Sequence, residues 1–226
     1  LAVRPVSGAG GTDNLTRIQR AQFDDQTVDL ASLPTSAAAN YQGMWAVPNL
    51  AEPGWGINLT HQADILFASW FTYGANGKPL WMTITAYQQA DRSFTGDIDL
   101  TGGPPFSAVP FNPALVTHTP QGAARFTFSD ANNGSLSYTI SGVTQVKALA
   151  RFLYATPVPF CTFNSALAPA LAVNYQDMWA VPNLAEAGWG INFTHQDDLL
   201  FASWFTYDAN GDPLWVTATL SKSAAR

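Results

Sequence analysis

NYQGMWAVPNLAEPGWGINLTHQADILFASWFTYGANGKPLWMTITA, residues 40–86, returns as NYQDMWAVPNLAEAGWGINFTHQDDLLFASWFTYDANGDPLWVTATL at residues 174–220. The offset is 134 residues, and 37 of the 47 positions are identical. A fixed period marks where structural units begin and end before any local motif is weighed. It predicts four segments: an N-terminal stretch over 1–39, a complete unit over 40–156, a Pro- and Ala-rich connector over 157–173, and the first half of a second unit over 174–226.

Within the first unit the strand signals lie at 55–61, 65–73, 80–87, 93–100, 123–129, 135–140 and 144–154, all rich in β-branched and aromatic residues and separated by turn formers. Asn76-Gly77 and Asn133-Gly134 read as tight hairpin turns. No helical periodicity of any length is present, so the expectation is an all-β chain whose antiparallel strands follow one another in sequence order. Such a meander closes most simply into an up-and-down barrel or a two-sheet sandwich, because exposed sheet edges invite aggregation. The N-terminal stretch contains Ile18-Gln-Arg20-Ala-Gln-Phe23, which parallels Leu149-Ala-Arg151-Phe-Leu-Tyr154 at the end of the complete unit. Residues 15–24 therefore read as the last strand of a preceding unit, and Ile18, Arg20 and Phe23, with Leu220 at the far end, are the candidate assembly residues.

Composition narrows the partners. With 12% charged residues and a net charge of −6, the chain lacks the clustered Lys and Arg that phosphate binding requires, which argues against nucleic acid. No apolar run is long enough for a membrane-spanning helix. The single cysteine, Cys161, excludes an internal disulfide and a Cys-based zinc site, although it could pair between chains. The chain begins at Leu1 rather than Met, which is read as processing or a fragment.

The strings GWGINLTHQ, FASWFTY(D)ANGxPLW and NNGSLSYTISGVTQVKALAR resemble a β-rich tandem repeat of secreted and surface proteins of Gram-negative bacteria. The resemblance spans nearly the whole chain. It implies a modular role on or outside a bacterial cell and carries no established reaction, ligand or cofactor.

All eight tryptophans fall inside the two copies. Strand alternation puts Trp55, Ile57 and Leu59 on one face and Gly56, Asn58 and Thr60 on the other, and separates Leu80, Met82 and Ile84 from Trp81, Thr83 and Thr85. A face holding Trp70, Trp81, Asn58 and Thr83, with Trp204 and Trp215 in the second copy, would suit a sugar or another small polar ligand that stacks on rings and hydrogen-bonds at their rims. The opposing expectation is that these rings fill the core. His61 and His195, beside Gln62 and Gln196, read as structural histidines, because no nucleophile elbow or zinc-protease helix accompanies them. Asp97 and Asp99 share an exposed strand face, and Asp208-Ala-Asn-Gly-Asp212 lacks the spacing of a calcium loop and reads as a plain hairpin. No catalytic, metal or cofactor site emerges. The favoured expectation is a non-enzymatic subunit of an extracellular or cell-surface assembly. Its incomplete repeat would be finished by strands from copies of itself, head to tail or about a twofold. The alternative is a secreted module that binds glycans or another small ligand.

Overall fold

The structure is a computed structural model that describes residues 20–22, 27–29, 40–155 and 174–223. Strands β1 (Arg20–Gln22) and β2 (Thr27–Asp29) pair antiparallel with Arg20 opposite Asp29. They belong to a separate compact unit from residues 40–159 and 174–226. Ile18, Phe23, Cys161 and the whole connector lie outside the described residues.

The fold is all-β. Eight strands close an antiparallel barrel in chain order: β3 (Gly43–Ala46), β4 (Gly56–Gln62), β5 (Ile65–Tyr73), β6 (Pro79–Gln88), β7 (Phe94–Gly102), β8 (Thr117–Phe128), β9 (Asn133–Ile140) and β10 (Val143–Arg151), with β10 returning to β3. Between barrel and sandwich, closure wins because β3 and β10 meet directly. Alternation sends every second side chain inward. Trp45, Ile57, Leu59, Leu66, Ala68, Trp70, Met82, Ile84, Phe94, Ile98, Phe126, Leu136 and Leu149 form one core.

Each predicted strand is present. Within the barrel one strand escaped the sequence reading: β3 is only four residues, Gly-Met-Trp-Ala, without a β-branched member. Strand β8 also starts six residues earlier than read. Its first half carries Pro120, which lacks an N–H for the ladder, and the strand accommodates it where the register shifts between Ile98 and Asp99. The Asn133-Gly134 hairpin is corrected as well. Both residues belong to β9, and the turn lies one step earlier, where the Asp130 carboxylate accepts from Asn132 N at 2.7 Å and Asn133 N at 2.9 Å. Glycine is needed at 134 for another reason: a Cβ there would sit 2.7 Å from the Thr127 carbonyl oxygen.

The seam between β10 and β3 has only two register pairs, Ala150–Ala46 and Arg151–Trp45. Arg151 reinforces it. Its Nη1 donates to Gln42 O at 2.5 Å, its Nη2 to Asn40 O at 2.7 Å and its Nε to Ala131 O at 3.0 Å, while the guanidinium lies 5.2 Å from the centroid of the Trp45 ring. The Trp45 indole N–H donates to Tyr41 O at 2.8 Å, and the ring is fully buried. At the same end Tyr41 stacks on Phe128 at 3.7 Å and on His61 at 5.4 Å, plugging the barrel.

The second copy forms a separate open sheet of β11 (Asp177–Trp179), β12 (Gly190–Gln196), β13 (Leu199–Tyr207) and β14 (Pro213–Ser221), in that order. Its registers repeat those of β3–β6: Trp179–Ile191 mirrors Trp45–Ile57, Trp204–Val216 mirrors Trp70–Met82, and Phe205–Trp215 mirrors Phe71–Trp81.

Arg151→Ala should lower the unfolding free energy by about 2–4 kcal/mol in urea titration followed by tryptophan fluorescence, since three charge-assisted bonds and a ring contact go together. Arg151→Lys should recover less than half, because an ammonium cannot fork to several carbonyls.

Candidate functional site

The open sheet packs on the barrel through corresponding residues of the two copies. The Trp81 indole N–H donates to Thr206 O at 2.7 Å, and the twin Trp215 donates to Thr72 O at 2.9 Å. Gln42 Nε2 donates to Gln176 O at 3.0 Å, and Gln176 Nε2 donates to Gln42 O at 3.2 Å. Phe71 and Phe205, also twins, lie 6.2 Å apart. Each of these contacts from copy one to copy two has its reverse, which is the signature of an isologous, twofold-like interface. Lys78 and Asp212 occupy the same repeat position and face each other at 3.6 Å.

Phe71, Trp81, Phe205 and Tyr207 form the apolar heart of this contact with Phe111. Phe111 comes from the β7–β8 loop, which breaks the symmetry by folding over the second sheet: Phe106 N donates to Tyr207 O at 3.0 Å, and a Cβ on Gly103 would meet the Tyr207 ring at 2.5 Å. Tyr207 is consequently buried, whereas its twin Tyr73 is 48% exposed. Burial pushes the Tyr207 phenol up, and its hydroxyl donates to Gly188 O at 2.7 Å. The segment leaving β10 adds a clamp: Gln196 Oε1 accepts from Tyr154 N at 2.8 Å and Ala155 N at 3.1 Å, and its Nε2 donates to Phe152 O at 2.8 Å. The Tyr154 hydroxyl donates to Thr194 O, and burial pushes its pKa to about 12.

These contacts locate the six predicted ligand residues. Trp70 points into the barrel opposite Met82, while Trp81 points outward opposite Phe71, so the expected common face of Trp70 and Trp81 does not form. Alternation within each strand was legible; the register that joins strands was not. Trp81 and Trp215 lie in the contact between barrel and second sheet. Asn58 and Thr83 share the outer face with Trp81, the first buried and the second half-buried, and Trp204 lies on the opposite, inner-type face of the second sheet. The Nδ2 atoms of the twins Asn58 and Asn192 are buried with no protein acceptor among the described residues. At the barrel's open end, Trp70, Leu80, Leu100, Tyr138 and Ile140 line a mouth of about 330 Å³. Glu52 guards that end, accepting from Lys147 Nζ at 2.8 Å and Trp55 Nε1 at 2.9 Å, and these bonds hold its carboxyl below the usual range.

His61 has both ring nitrogens engaged: Nδ1 accepts from Tyr41 N at 3.2 Å, and Nε2 lies 3.0 Å from Ala63 O, which fits a neutral Nε2–H tautomer. Burial lowers its pKa. His195 accepts from Tyr175 N in the same way. Asp208 Oδ1 accepts from Asn210 N at 2.8 Å and Asp212 N at 3.1 Å, a side-chain-capped hairpin turn. Asp97 and Asp99 sit two apart on β7, opposite Thr85 and Thr83. Among the described residues no group of three His, Cys, Asp or Glu side chains is placed to hold a metal. No helix among them is long and apolar enough to cross a membrane.

The remaining feature is the inner-type face of the second sheet. Trp179, Val216 and Leu220 are 47%, 43% and 47% exposed, whereas their barrel twins Trp45, Met82 and Ala86 are at 0%, 4% and 0%. The difference is β7–β10, which cover the barrel copies; among the described residues nothing corresponding pairs with β11 or β14. Leu220, the candidate assembly residue, is thus an exposed apolar side chain on a sheet edge. The fold and this site define an all-β protein with a closed eight-stranded antiparallel barrel and a separate four-stranded antiparallel sheet. Searches of protein-family models, curated proteins and solved structures found no match to the chain.

Two outcomes check these contacts. In a double-mutant cycle, Lys78→Asp and Asp212→Lys should each destabilise, and the double swap should restore stability. The coupling should be about 0.2–1 kcal/mol, as for an exposed pair, and should fade in about 1 M salt. Stability should also fall as pH drops below 6.5, the ordinary imidazole value. The folded His61 binds its proton less readily than the unfolded one, so its contribution is complete above that value and is lost toward the lowered folded pKa. His61→Gln should flatten this part of the pH profile of the unfolding midpoint.

Proposed function

We propose that the chain is a non-enzymatic structural component of an extracellular or cell-surface bacterial assembly, in which strands from another copy complete the open sheet β11–β14. One observation carries this reading: on the inner-type face Trp179, Val216 and Leu220 are 43–47% exposed, whereas Trp45, Met82 and Ala86 at the same register positions of the barrel are 0–4% exposed. Exposed large apolar side chains beside β11 and β14, edges that no strand among the described residues pairs, favour strand addition, which supplies main-chain hydrogen bonds and buries the face in one step. The location rests on the repeat resemblance and on the low charge of the chain. The isologous contact already joins the two copies within one chain, so completion of the open sheet is the step left to join chains.

Light scattering coupled to size exclusion should give a mass above 24.3 kDa that falls toward it on tenfold dilution. A species that stays at 24.3 kDa at every concentration overturns the assembly.

The alternative, binding of a glycan or other small ligand, is favoured by the barrel mouth rather than by the outer Trp81 face. Its volume of about 330 Å³ lies at the small end of ligand pockets, and Trp70 and Tyr138 supply ring surfaces. Calorimetric titration with short gluco- and chito-oligosaccharides should then give heat that Trp70→Phe reduces, and no heat overturns this reading.

A further inference from the structure

The barrel seam specifies what the open sheet accepts. In the barrel, Trp45, Asn40 O and Gln42 O receive the Arg151 guanidinium from the strand paired with β3. The second sheet carries the same acceptor set: Trp179, Asn174 O and Gln176 O. Local geometry is kept, because Trp179 Nε1 donates to Tyr175 O at 2.9 Å as Trp45 Nε1 donates to Tyr41 O at 2.8 Å. Asn174 Oδ1 accepts from Gln176 N at 2.9 Å as Asn40 Oδ1 accepts from Gln42 N at 2.8 Å. Gln42 O accepts both Arg151 and Gln176 Nε2, whereas for Gln176 O the described residues provide only Gln42 Nε2. No described guanidinium lies over Trp179, a residue that is 47% exposed.

We propose that Trp179 and the carbonyls of Asn174 and Gln176 form an arginine socket that receives Arg20 from strand β1 of a second copy of this chain, with β1 pairing antiparallel to β11 as β10 pairs with β3. Three observations select that occupant. Arg20 stands in Ile18-Gln-Arg-Ala-Gln-Phe23, the counterpart of Leu149-Ala-Arg-Phe-Leu-Tyr154 around Arg151. Residues Arg20–Gln22 already form a strand, and among the described residues β1 is paired on one side only, by β2. A planar guanidinium that stacks on a ring and forks to carbonyls fits this acceptor set, and an ammonium does not.

The inference rests on the proposed assembly and deepens it by naming the contact. The test compares the full chain with Arg20→Ala and Arg20→Lys, reading mass by light scattering over a hundredfold dilution series and barrel integrity by near-ultraviolet circular dichroism. Both variants should keep the barrel spectrum and weaken association at least about tenfold, the expected consequence of losing two charge-assisted bonds and a ring contact. A synthetic peptide of residues 15–26 should compete with association, and the same peptide carrying Arg20→Ala should not. Association that is unchanged by both substitutions overturns the Arg20 contact and leaves the assembly standing. A chain that is monomeric at every concentration overturns both.

Discussion

The barrel closes across a seam only two register pairs long, and one guanidinium makes so short a seam sufficient. Arg151 leaves β10, lies on the buried Trp45 ring and bonds to carbonyls of the segment leading into β3 and of the β8–β9 turn. It ties three chain segments at the point where the meander meets its own beginning. Burial lowers its pKa, yet an arginine remains charged under any ordinary condition. The charge, the ring and the carbonyls are each satisfied only when all are in place. The second sheet has the ring and the carbonyls, and the described residues give it no strand carrying the charge.

The contact between the copies obeys different physics. It is face to face, uses outward side chains, and repeats in both directions: Trp81 to Thr206 and Trp215 to Thr72, Gln42 to Gln176 and back. Such a contact saturates at two participants. The assembly proposed above would instead use the inner-type face and the edges β11 and β14, which no strand among the described residues pairs.

Much of the fold was legible in the sequence. The repeat placed the copies, and alternation gave the faces of β4 and β6, because period two is a local property. What escaped was cross-strand geometry. Trp70 and Trp81 were expected on one face, but the turn between Tyr73 and Pro79 sets Trp70 opposite Met82 and sends Trp81 outward, a register that no single strand encodes. Strand β3 was missed because four residues of mixed propensity mean little until β10 pairs with them. The early half of β8 was missed because Pro120 forbids an ordinary ladder and is tolerated only at the irregularity beside Ile98. For the candidate site, Arg20 and Leu220 were picked from phase and position. Trp179 as a receptor was not, since its role follows from seeing Arg151 on Trp45.

Lys78 and Asp212 stand at the same repeat position yet carry opposite charges. A residue on the axis of a true twofold always meets itself, so any charge there repels its own image. Joining two copies in one polypeptide removes that restriction, because the two axial positions are then written separately. Here one is basic and the other acidic, 3.6 Å apart. The pair thus distinguishes the first copy from the second at a position where a true twofold would have to repeat one charge.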